Sequence, residues 1–481
     1  MNDRLTAAVA DALHRAGLLR PGALLLLALS GGPDSVALLY TLCALREPQE
    51  LRISAMHVEH GLRGEPALAD ARYCEQLCRD LSVPFTCAHA ALAGGMDAPG
   101  AEARARDARY ALLCAQARAC GADALLTAHH QDDQAQTVLM HLIRGSGARG
   151  LGGMRATGMR DGVLLVRPLL HIPHAMLLQA VDGIPVRTDE SNLSPCCQRN
   201  RLRQTVLPLL TQENPHAAAH IVQCAALAAM DEDCLDAQGE ALLRTVLVDF
   251  APTLCVRRAP LAAAPPAVAA RALRRLYALA VETVRGNGAP PGENALSAAD
   301  TLALVALLQH PDGSHNLPPA LRAETTAQYL HLLRMADGNP LSPLPRPAPI
   351  ALGPDLPACG RTVAFAGLRF TLTAADPAQP PPDGLRTVEV PLAALPGLQL
   401  RLPESGDRIH PFGAHGGKPL RRYLTDRKLD RPFRPWLPLL CAGSEVLWAV
   451  GLGAAEGTRR TAAPAVRLSV EGLLPWAVAP A

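Results

Sequence analysis

The fold is decided by Ser30-Gly31-Gly32-Pro33-Asp34-Ser35, which directly follows the apolar run 23–29. This pattern predicts a buried strand, a glycine turn and a helix that begins near Asp34. The amide groups in the first turn of a helix have no intrahelical partner, and they carry the positive end of the helix dipole. The two glycines let the backbone approach a ligand closely, and Pro33 suits a first helical turn. The stretch therefore predicts a phosphate-binding site.

Asp34 is the unexpected member of this loop. A carboxylate repels phosphate unless a divalent cation lies between the two, so we expect Asp34 to be a metal ligand. The hexapeptide resembles the SGGxDS loop of N-type ATP pyrophosphatases, which split ATP to AMP and pyrophosphate. It is not a Walker A loop, because no Gly-Lys-Ser/Thr follows it.

Length and composition restrict the class of protein. A chain of 481 residues predicts two to four domains. No apolar run approaches the roughly 20 residues of a membrane-spanning helix, so we expect no membrane partner. Thirteen scattered cysteines do not form a disulfide framework in a chain of this size, which favours a cytoplasmic protein.

Residues 1–215 alternate short apolar runs with helical patterns, which predicts an α/β fold with a doubly wound, mostly parallel sheet. The predicted strands are 23–29, 52–58, 84–89, 123–127 and 163–167, and the predicted helices are 35–45, 66–81, 101–119 and 131–144. Ligands bind such sheets at the carboxyl ends of the strands, where Ser30, His57 and His129 fall.

Three further regions follow these residues. Residues 216–335 are rich in Ala and Leu, which predicts a helical domain. Seven prolines between Pro340 and Pro357 predict a stiff linker over 336–361. Residues 362–481 turn to β patterns, which predict a small α+β domain.

Seven sequence blocks identify a family when they are read in order. They are SGGPDS (30–35), HVEHGLR (57–63), HHQDDQAQT (129–137), LIRGSGARGLGGM (142–154), RPLL (167–170), DESN (189–192) and RNRLRQTVLP (199–208). Together they resemble bacterial tRNA(Ile)-lysidine synthases, with strong likeness over residues 22–210. The likeness is weaker over residues 216–335, where it implies a domain that binds substrate or tRNA. It returns in the basic segment 406–440, which is similar to the family's tRNA-binding domain.

The resemblance implies an ATP-dependent ligation. The family adenylates the C2 oxygen of the wobble cytidine in a CAU-anticodon tRNA(Ile), and free lysine then displaces AMP to give lysidine. The implied cofactors are ATP and Mg²⁺, the implied partners are this tRNA and L-lysine, and a homodimer is left open.

The resemblance also implies roles for particular residues. Asp34, His129 and Asp133 are the implied catalytic residues. Residues Ser30–Ser35 are implied to bind ATP, and Asp34 is implied to bind the metal ion. Lysine binding is implied at Asp133, with Asp132 and Gln136 beside it. Basic residues predicted to contact tRNA are Arg106, Arg109, Arg144, Arg199, Arg203, Lys418, Arg421 and Arg422.

One position departs from the family, which usually has Glu where this chain has Gln136. An amide cannot supply the negative charge that a carboxylate offers to an amine or a metal. We therefore expect either weaker lysine affinity or compensation by Asp132.

Lysine itself is rare in this chain. Of 46 Lys and Arg residues only Lys418 and Lys428 are lysines, and both lie in the C-terminal basic segment. Because a compact ammonium and a planar guanidinium are not interchangeable, we hypothesise that Lys418 makes a point contact to tRNA. Chance retention of two lysines is the alternative.

Two other functions remain open. A tRNA thiolase of the same superfamily would need cysteine pairs for a cluster or a persulfide, but the closest spacings are Cys74/Cys78 and Cys196/Cys197. A catalytically weak RNA-binding relic is the second alternative, and it is suggested by Gln136.

Overall fold

The computed structural model describes most of the chain, in twelve segments. These are residues 3–59, 65–90, 101–187, 198–248, 254–285, 296–336, 339–341, 346–352, 361–414, 416–458, 464–472 and 474–476. The chain forms two compact units, Met1–Asp233 and Cys234–Ala481. Residues 60–63 of the HVEHGLR block, the DESN block and the Cys196/Cys197 pair lie outside the described residues.

The first unit contains a six-stranded sheet in the order β3-β2-β1-β4-β6-β5. Its strands are β1 (Leu24–Ala28), β2 (Arg52–Glu59), β3 (Phe85–His89), β4 (Ala124–Leu126), β5 (Thr157–Arg160) and β6 (Val163–Val166). Every neighbouring pair is parallel except β5 with β6. The mostly parallel sheet is confirmed, and the antiparallel edge strand β5 was not predicted.

Helices cover both faces of this sheet because its central strand is apolar throughout. Leu25 and Leu27 of β1 lie in one core cluster, whereas Leu26 lies in a second cluster on the opposite face. Side chains alternate across a strand, so a continuous apolar run is buried on both sides. The fold is therefore doubly wound.

The helices of the first unit are as follows. They are α1 (Asp3–Arg15), α2 (Pro33–Arg46), α3 (Glu65–Asp80), α4 (Ala101–Cys120), α5 (Gln131–Ile143), α6 (Ala148–Leu151), α7 (His174–Ala180), α8 (Gln198–Arg201), α9 (Leu207–Glu213) and α10 (Ala217–Val246). A π-helical turn, Leu202–Val206, joins α8 to α9, and the boundary between the two units falls within α10.

The order of the sheet reverses between β1 and β4. Strand β1 leads into Ser30 and helix α2, and β4 leads into His129 and helix α5. Ligands bind open α/β sheets in the crevice at such a reversal, outside the carboxyl ends of the strands. The topology thus brings the two most informative sequence blocks to one place.

The described residues of the second unit form three sheets and four further α-helices. The helices are α11 (Arg258–Ala263), α12 (Pro266–Arg285), α13 (Ala298–Leu307) and α14 (Leu420–Asp426). One sheet joins β7 (Leu247–Val248), β8 (Leu254–Arg257), β9 (Ser314–Leu317), β10 (Leu321–Thr325), β11 (Tyr329–Ala336) and β12 (Asn339–Leu341).

Two more sheets complete this unit and share one apolar core. The larger joins β13 (Ile350–Leu352), β17 (Leu398–Arg401), β18 (Arg408–Ile409), β19 (Lys418–Pro419), β20 (Leu439–Ala442), β21 (Glu445–Ala449) and β22 (Gly453–Ala454). The smaller joins β14 (Arg361–Phe365), β15 (Leu368–Ala374), β16 (Thr387–Pro391) and β23 (Ala465–Glu471).

The region 216–335 contains more β structure than its composition predicted. Helices α10 to α13 are present, but β8 to β11 form an antiparallel sheet among them. Strand β10 buries alternate side chains, Leu321, Ala323 and Thr325, which is the pattern of a strand with one solvated face. Strands β12 and β13 occupy described parts of the predicted linker, and the bounds of the four predicted regions remain predictions. Among the described residues, no helix is long and apolar enough to cross a membrane.

Candidate active site

The glycine loop is held in shape by its two serines. The Ser35 hydroxyl donates to the carbonyl of Gly32 at 3.0 Å and accepts from the amide of Ser30 at 3.2 Å. Gly32 is the N-cap of α2, and no side chain caps this helix. The first-turn amides of α2 are therefore left without a side-chain acceptor, as an anion site requires.

Gly31 adopts a conformation that other residues rarely adopt. Its φ is +85°, and an added Cβ would lie 3.2 Å from Cys74 Sγ and 3.3 Å from the Tyr73 ring. Both the backbone conformation and the packing against α3 therefore require glycine at this position.

The variant Gly31→Ala is expected to lose about 1–2 kcal/mol of stability because of backbone strain, and to bind ATP more weakly because the loop must shift. The matched control is Gly121→Ala, since Gly121 has φ +66° but open space around its missing side chain. Thermal unfolding and ATP titration check both variants. Equal ATP affinity in Gly31→Ala and the wild type contradicts the prediction.

Asp34 lies between two histidines at the start of α2. Its Oδ1 is 3.2 Å from Nε2 of His174 and its Oδ2 is 3.6 Å from Nε2 of His130. The two imidazole rings stack with centroids 4.7 Å apart. The Asp34 carboxylate raises the pKa of His174 against the opposing effect of burial.

Asp34 suits a magnesium ion better than the histidines do. Its Oδ1 is buried without a hydrogen-bond donor, since the 3.2 Å contact with His174 is an ion pair that lacks hydrogen-bond geometry. Nδ1 of His130 accepts from the Asp132 amide at 3.3 Å, so Nε2 is the protonated nitrogen of this ring and cannot be a ligand. Mg²⁺ takes one or two carboxylates together with substrate phosphates, and this donor set fits.

Asp133 and Gln136 lie together on α5 and both contact Arg199. Oδ1 of Asp133 accepts from Nη2 of Arg199 at 2.9 Å, and Oε1 of Gln136 accepts from Nε of Arg199 at 3.1 Å. Oδ2 of Asp133 also accepts from the His130 amide and completes a capping box at the start of α5. Burial alone raises the pKa of Asp133, but the interactions with His130 and Arg199 outweigh it, so the pKa is lowered and the carboxylate is ionised at neutral pH.

His129 is neutral at physiological pH. Burial is the main cause that lowers its pKa, to about 3, and the positive charges of Arg167, Arg199 and Arg109 oppose the effect of Asp133. One ring nitrogen, Nδ1, lies 2.9 Å from the Thr127 hydroxyl. The imidazole can therefore exchange hydrogen bonds without adding charge to the site.

A cluster of arginines surrounds the buried Tyr110 ring on α4. The guanidinium carbons of Arg106, Arg109 and Arg160 lie 5.8, 5.6 and 4.2 Å from the ring centroid. Burial lowers the pKa of Arg109. Arg106 and Arg109 were predicted from sequence as tRNA contacts, whereas Arg160 was not among the predicted residues.

The glycine-rich segment 144–154 is held against helix α5. It contains α6, and the carbonyl of Gly150 contacts Nδ1 of His141 at 2.5 Å. The buried Gln134 side chain accepts from the Met154 amide at 2.8 Å and donates to the Met154 carbonyl at 3.0 Å. Gln134 thus fastens the segment to α5.

Arg144 and Arg203 are exposed, whereas Arg199 contacts Asp133 and Gln136. Arg144 is exposed at the end of α5, with its guanidinium 3.5 Å from the Gln198 side chain, and Arg203 is exposed in the π-helical turn. His57 has a structural role, since Nδ1 contacts the Leu29 carbonyl at 2.9 Å.

The predicted tRNA-binding residues of the second unit lie on and beside α14. Arg421 and Arg422 are exposed in the first turn of this helix. Nζ of Lys418 is 2.6 Å from Oδ2 of Asp426 and 5.4 Å from the Tyr423 ring centroid. Contact with a phosphate therefore requires Lys418 to share or leave Asp426.

If Lys418 contacts tRNA through its ammonium, Lys418→Ala weakens tRNA binding by about fivefold, the scale of one phosphate contact, and Lys418→Arg restores only part of it. A filter-binding titration at constant salt measures both. If both variants bind tRNA with wild-type affinity, the hypothesis is wrong.

The structure adds His174 to the residues that the sequence indicated. This histidine begins α7 after Pro173, and it reaches Asp34 from a distant part of the chain. In the sequence, His174 is marked only by its position four residues after the RPLL block. This position does not indicate a contact with Asp34, which lies 140 residues earlier in the chain.

Comparison with known proteins agrees with this geometry. The PP-loop domain family matches residues 2–210, and the TilS substrate C-terminal domain family matches residues 398–470. A tRNA(Ile)-lysidine synthase of Symbiobacterium thermophilum is 34% identical over 469 residues, 92% of each chain. The enzyme of Geobacter sulfurreducens is 34% identical over 463 residues, 93% of this chain and 92% of its own. Because the likeness extends through both units, this chain belongs to the tRNA(Ile)-lysidine synthase family.

Proposed function

We propose that this protein ligates L-lysine to C2 of the wobble cytidine in a CAU-anticodon tRNA(Ile), with conversion of ATP to AMP and pyrophosphate. The observation that carries the proposal is the uncapped start of α2, with Asp34 beside it, at the sheet reversal. Relatives that bear this name along almost the full chain support the same function.

The reaction has two steps in this proposal. The C2 oxygen of cytidine attacks the α-phosphorus of ATP, and pyrophosphate leaves. The ε-amine of lysine then forms a bond to C2, the C2–oxygen bond breaks with loss of AMP, and the amine gives up its proton.

The glycine loop binds the departing pyrophosphate. Amides at the start of α2 donate to its oxygens, and donors that are already in place stabilise the growing charge without rearrangement. Asp34 holds Mg²⁺, which neutralises phosphate charge when bound. His129 stays neutral and therefore adds no charge of its own to the site.

Asp133 and Gln136 receive the amine of lysine. The ionised Asp133 supplies the one negative charge, and the Gln136 carbonyl supplies a second acceptor. Asp132, in the first turn of α5, is the candidate that compensates for the missing family carboxylate.

A thiolase is disfavoured by the relatives and by the cysteines. Cys74 and Cys78 are buried on α3, and burial raises the pKa of both thiols to about 12. Thiols with such pKa values are poor nucleophiles and poor metal ligands. We place the enzyme in the cytoplasm, where its ten described cysteines remain reduced thiols.

The experiment that separates an enzyme from a relic is tRNA-dependent exchange of radiolabelled pyrophosphate into ATP. This exchange reports the first step alone and needs no lysine. We expect exchange that requires CAU-anticodon tRNA(Ile) and is absent with a tRNA of another anticodon. Tight tRNA binding without exchange identifies a relic.

A further inference from the structure

Arg199 occupies the acceptors that the proposed function assigns to lysine. Its guanidinium uses Nη2 on Asp133 and Nε on Gln136, at 2.9 and 3.1 Å. The Gln136 side chain is 2% exposed, whereas the side chains of Arg199 and Asp133 are 29% and 22% exposed. The Gln136 acceptor is thus buried, whereas Asp133 and Arg199 form a partly exposed ion pair beside it.

A guanidinium and an ammonium satisfy such a pair of acceptors in the same way. Each is a positive donor group that binds one carboxylate oxygen and one carbonyl oxygen through charge-assisted hydrogen bonds. The two oxygens accept from neighbouring nitrogens of one guanidinium, which leaves the lysine amine no place on them while Arg199 remains. Two cations at one carboxylate also repel each other.

We propose that Arg199 is an internal competitor of the substrate: it holds Asp133 and Gln136 when lysine is absent and leaves them when the lysine amine binds. This inference rests on the proposed function. Arg199 thereby acts as a specificity-determining residue, because only a ligand with a positive donor group can replace it without leaving the partly buried Asp133 carboxylate with no cation beside it.

The residue at position 136 explains why such an exchange is feasible. The amide of Gln136 adds an acceptor without charge, so Asp133 is the single charge that the two cations share. A second carboxylate here would bind Arg199 more strongly and would also give lysine its own partner. The glutamine therefore keeps the internal pair weak enough for a small amine to displace.

Arg199 is also suited to a second task once it is displaced. It lies on α8 in the stretch Arg199-Asn200-Arg201-Leu202-Arg203, and a planar guanidinium forms paired bonds to phosphate. Displacement by lysine would free this guanidinium for the tRNA backbone.

The test measures the affinity of the full-length protein for L-lysine by equilibrium dialysis at pH 8, with ATP and Mg²⁺ present and tRNA absent. Arg199→Gln is expected to bind lysine about three- to tenfold more tightly than the wild type, since a partly exposed competing ion pair is removed. Arg199→Lys keeps a competing cation and is expected to stay near the wild type.

Arg201→Gln is the matched control, because Arg201 is an exposed neighbour on the same helix and contacts neither acceptor in the pair. Its lysine affinity should equal that of the wild type. ATP binding and circular dichroism confirm that each variant is folded. Unchanged or weaker lysine binding by folded Arg199→Gln overturns the inference, and so does equal tightening in Arg201→Gln. If the wild-type protein does not bind lysine at all, the result contradicts the proposed function itself, and not only the role of Arg199.

Discussion

Replacing Asp34 by alanine is expected to slow tRNA-dependent pyrophosphate exchange by about 10²–10³-fold, the scale of losing one electrostatic group at a transition state. The buried Oδ1 atom accepts no hydrogen bond and lies 3.2 Å from Nε2 of His174, so a metal cation at the phosphate site would compete only with that ion pair. Without it, charge on the departing pyrophosphate is neutralised less completely. Exchange kinetics at saturating ATP measure the effect.

Asp182→Ala is the matched control for this experiment. Asp182 is an exposed carboxylate just beyond α7, and its removal should leave the exchange rate unchanged. Exchange by Asp34→Ala at more than half the wild-type rate, in a protein that still binds tRNA, contradicts the role assigned to Asp34.

The second large effect concerns stability, and it arises from a buried ion pair in the second unit. Arg401 and Asp407 are 4% and 5% exposed, and two hydrogen bonds of 2.9 and 2.7 Å join them. The guanidinium also donates to the carbonyls of Leu402 and Gly443. Asp407→Ala removes the only carboxylate that makes these paired bonds and leaves a buried charge, at an expected cost of about 3–5 kcal/mol.

Urea unfolding of the full chain, followed by the fluorescence of Trp436, Trp448 and Trp476 in the same unit, measures this loss. The double variant Arg401→Met/Asp407→Leu should lose much less stability, because it removes both charges and fills the space with apolar groups. A smaller loss in Asp407→Ala than in the double variant contradicts this explanation.

The sequence predicted the catalytic fold well because buried parallel strands leave a simple signal. The run 163–167 became β6 at Val163–Val166, and the run 23–29 became β1 at Leu24–Ala28. A strand buried on both faces must be apolar throughout, and the glycine turn marks its end. The first unit could therefore be predicted nearly strand by strand.

The middle of the chain could not be predicted in this way. Strand β9, Ser314–Leu317, buries only Leu317, so its sequence resembles that of a loop. Strand β10 alternates correctly but is short and follows a long helical region. The excess of Ala and Leu in this region therefore concealed the sheet that contains β9 and β10.

The candidate site shows the same limit at the level of contacts. The sequence indicated Asp34, Asp133 and Gln136 singly, but it could not show that Arg199 joins the last two, because 63 or more positions separate them. Nor could it predict the pKa of His129, which depends on burial and on arginines from α4, α8 and the segment after β6. Contacts between distant segments required the fold.

The most direct test of the central claim is incorporation of radiolabelled L-lysine into CAU-anticodon tRNA(Ile) with ATP and Mg²⁺, beside the Asp34→Ala variant. We expect label in the tRNA with the wild-type protein, loss of that label with the variant, and recovery of lysidine after nuclease digestion. No label above the level of the variant, from wild-type protein that binds the tRNA, would contradict the assignment of this chain as a lysine ligase.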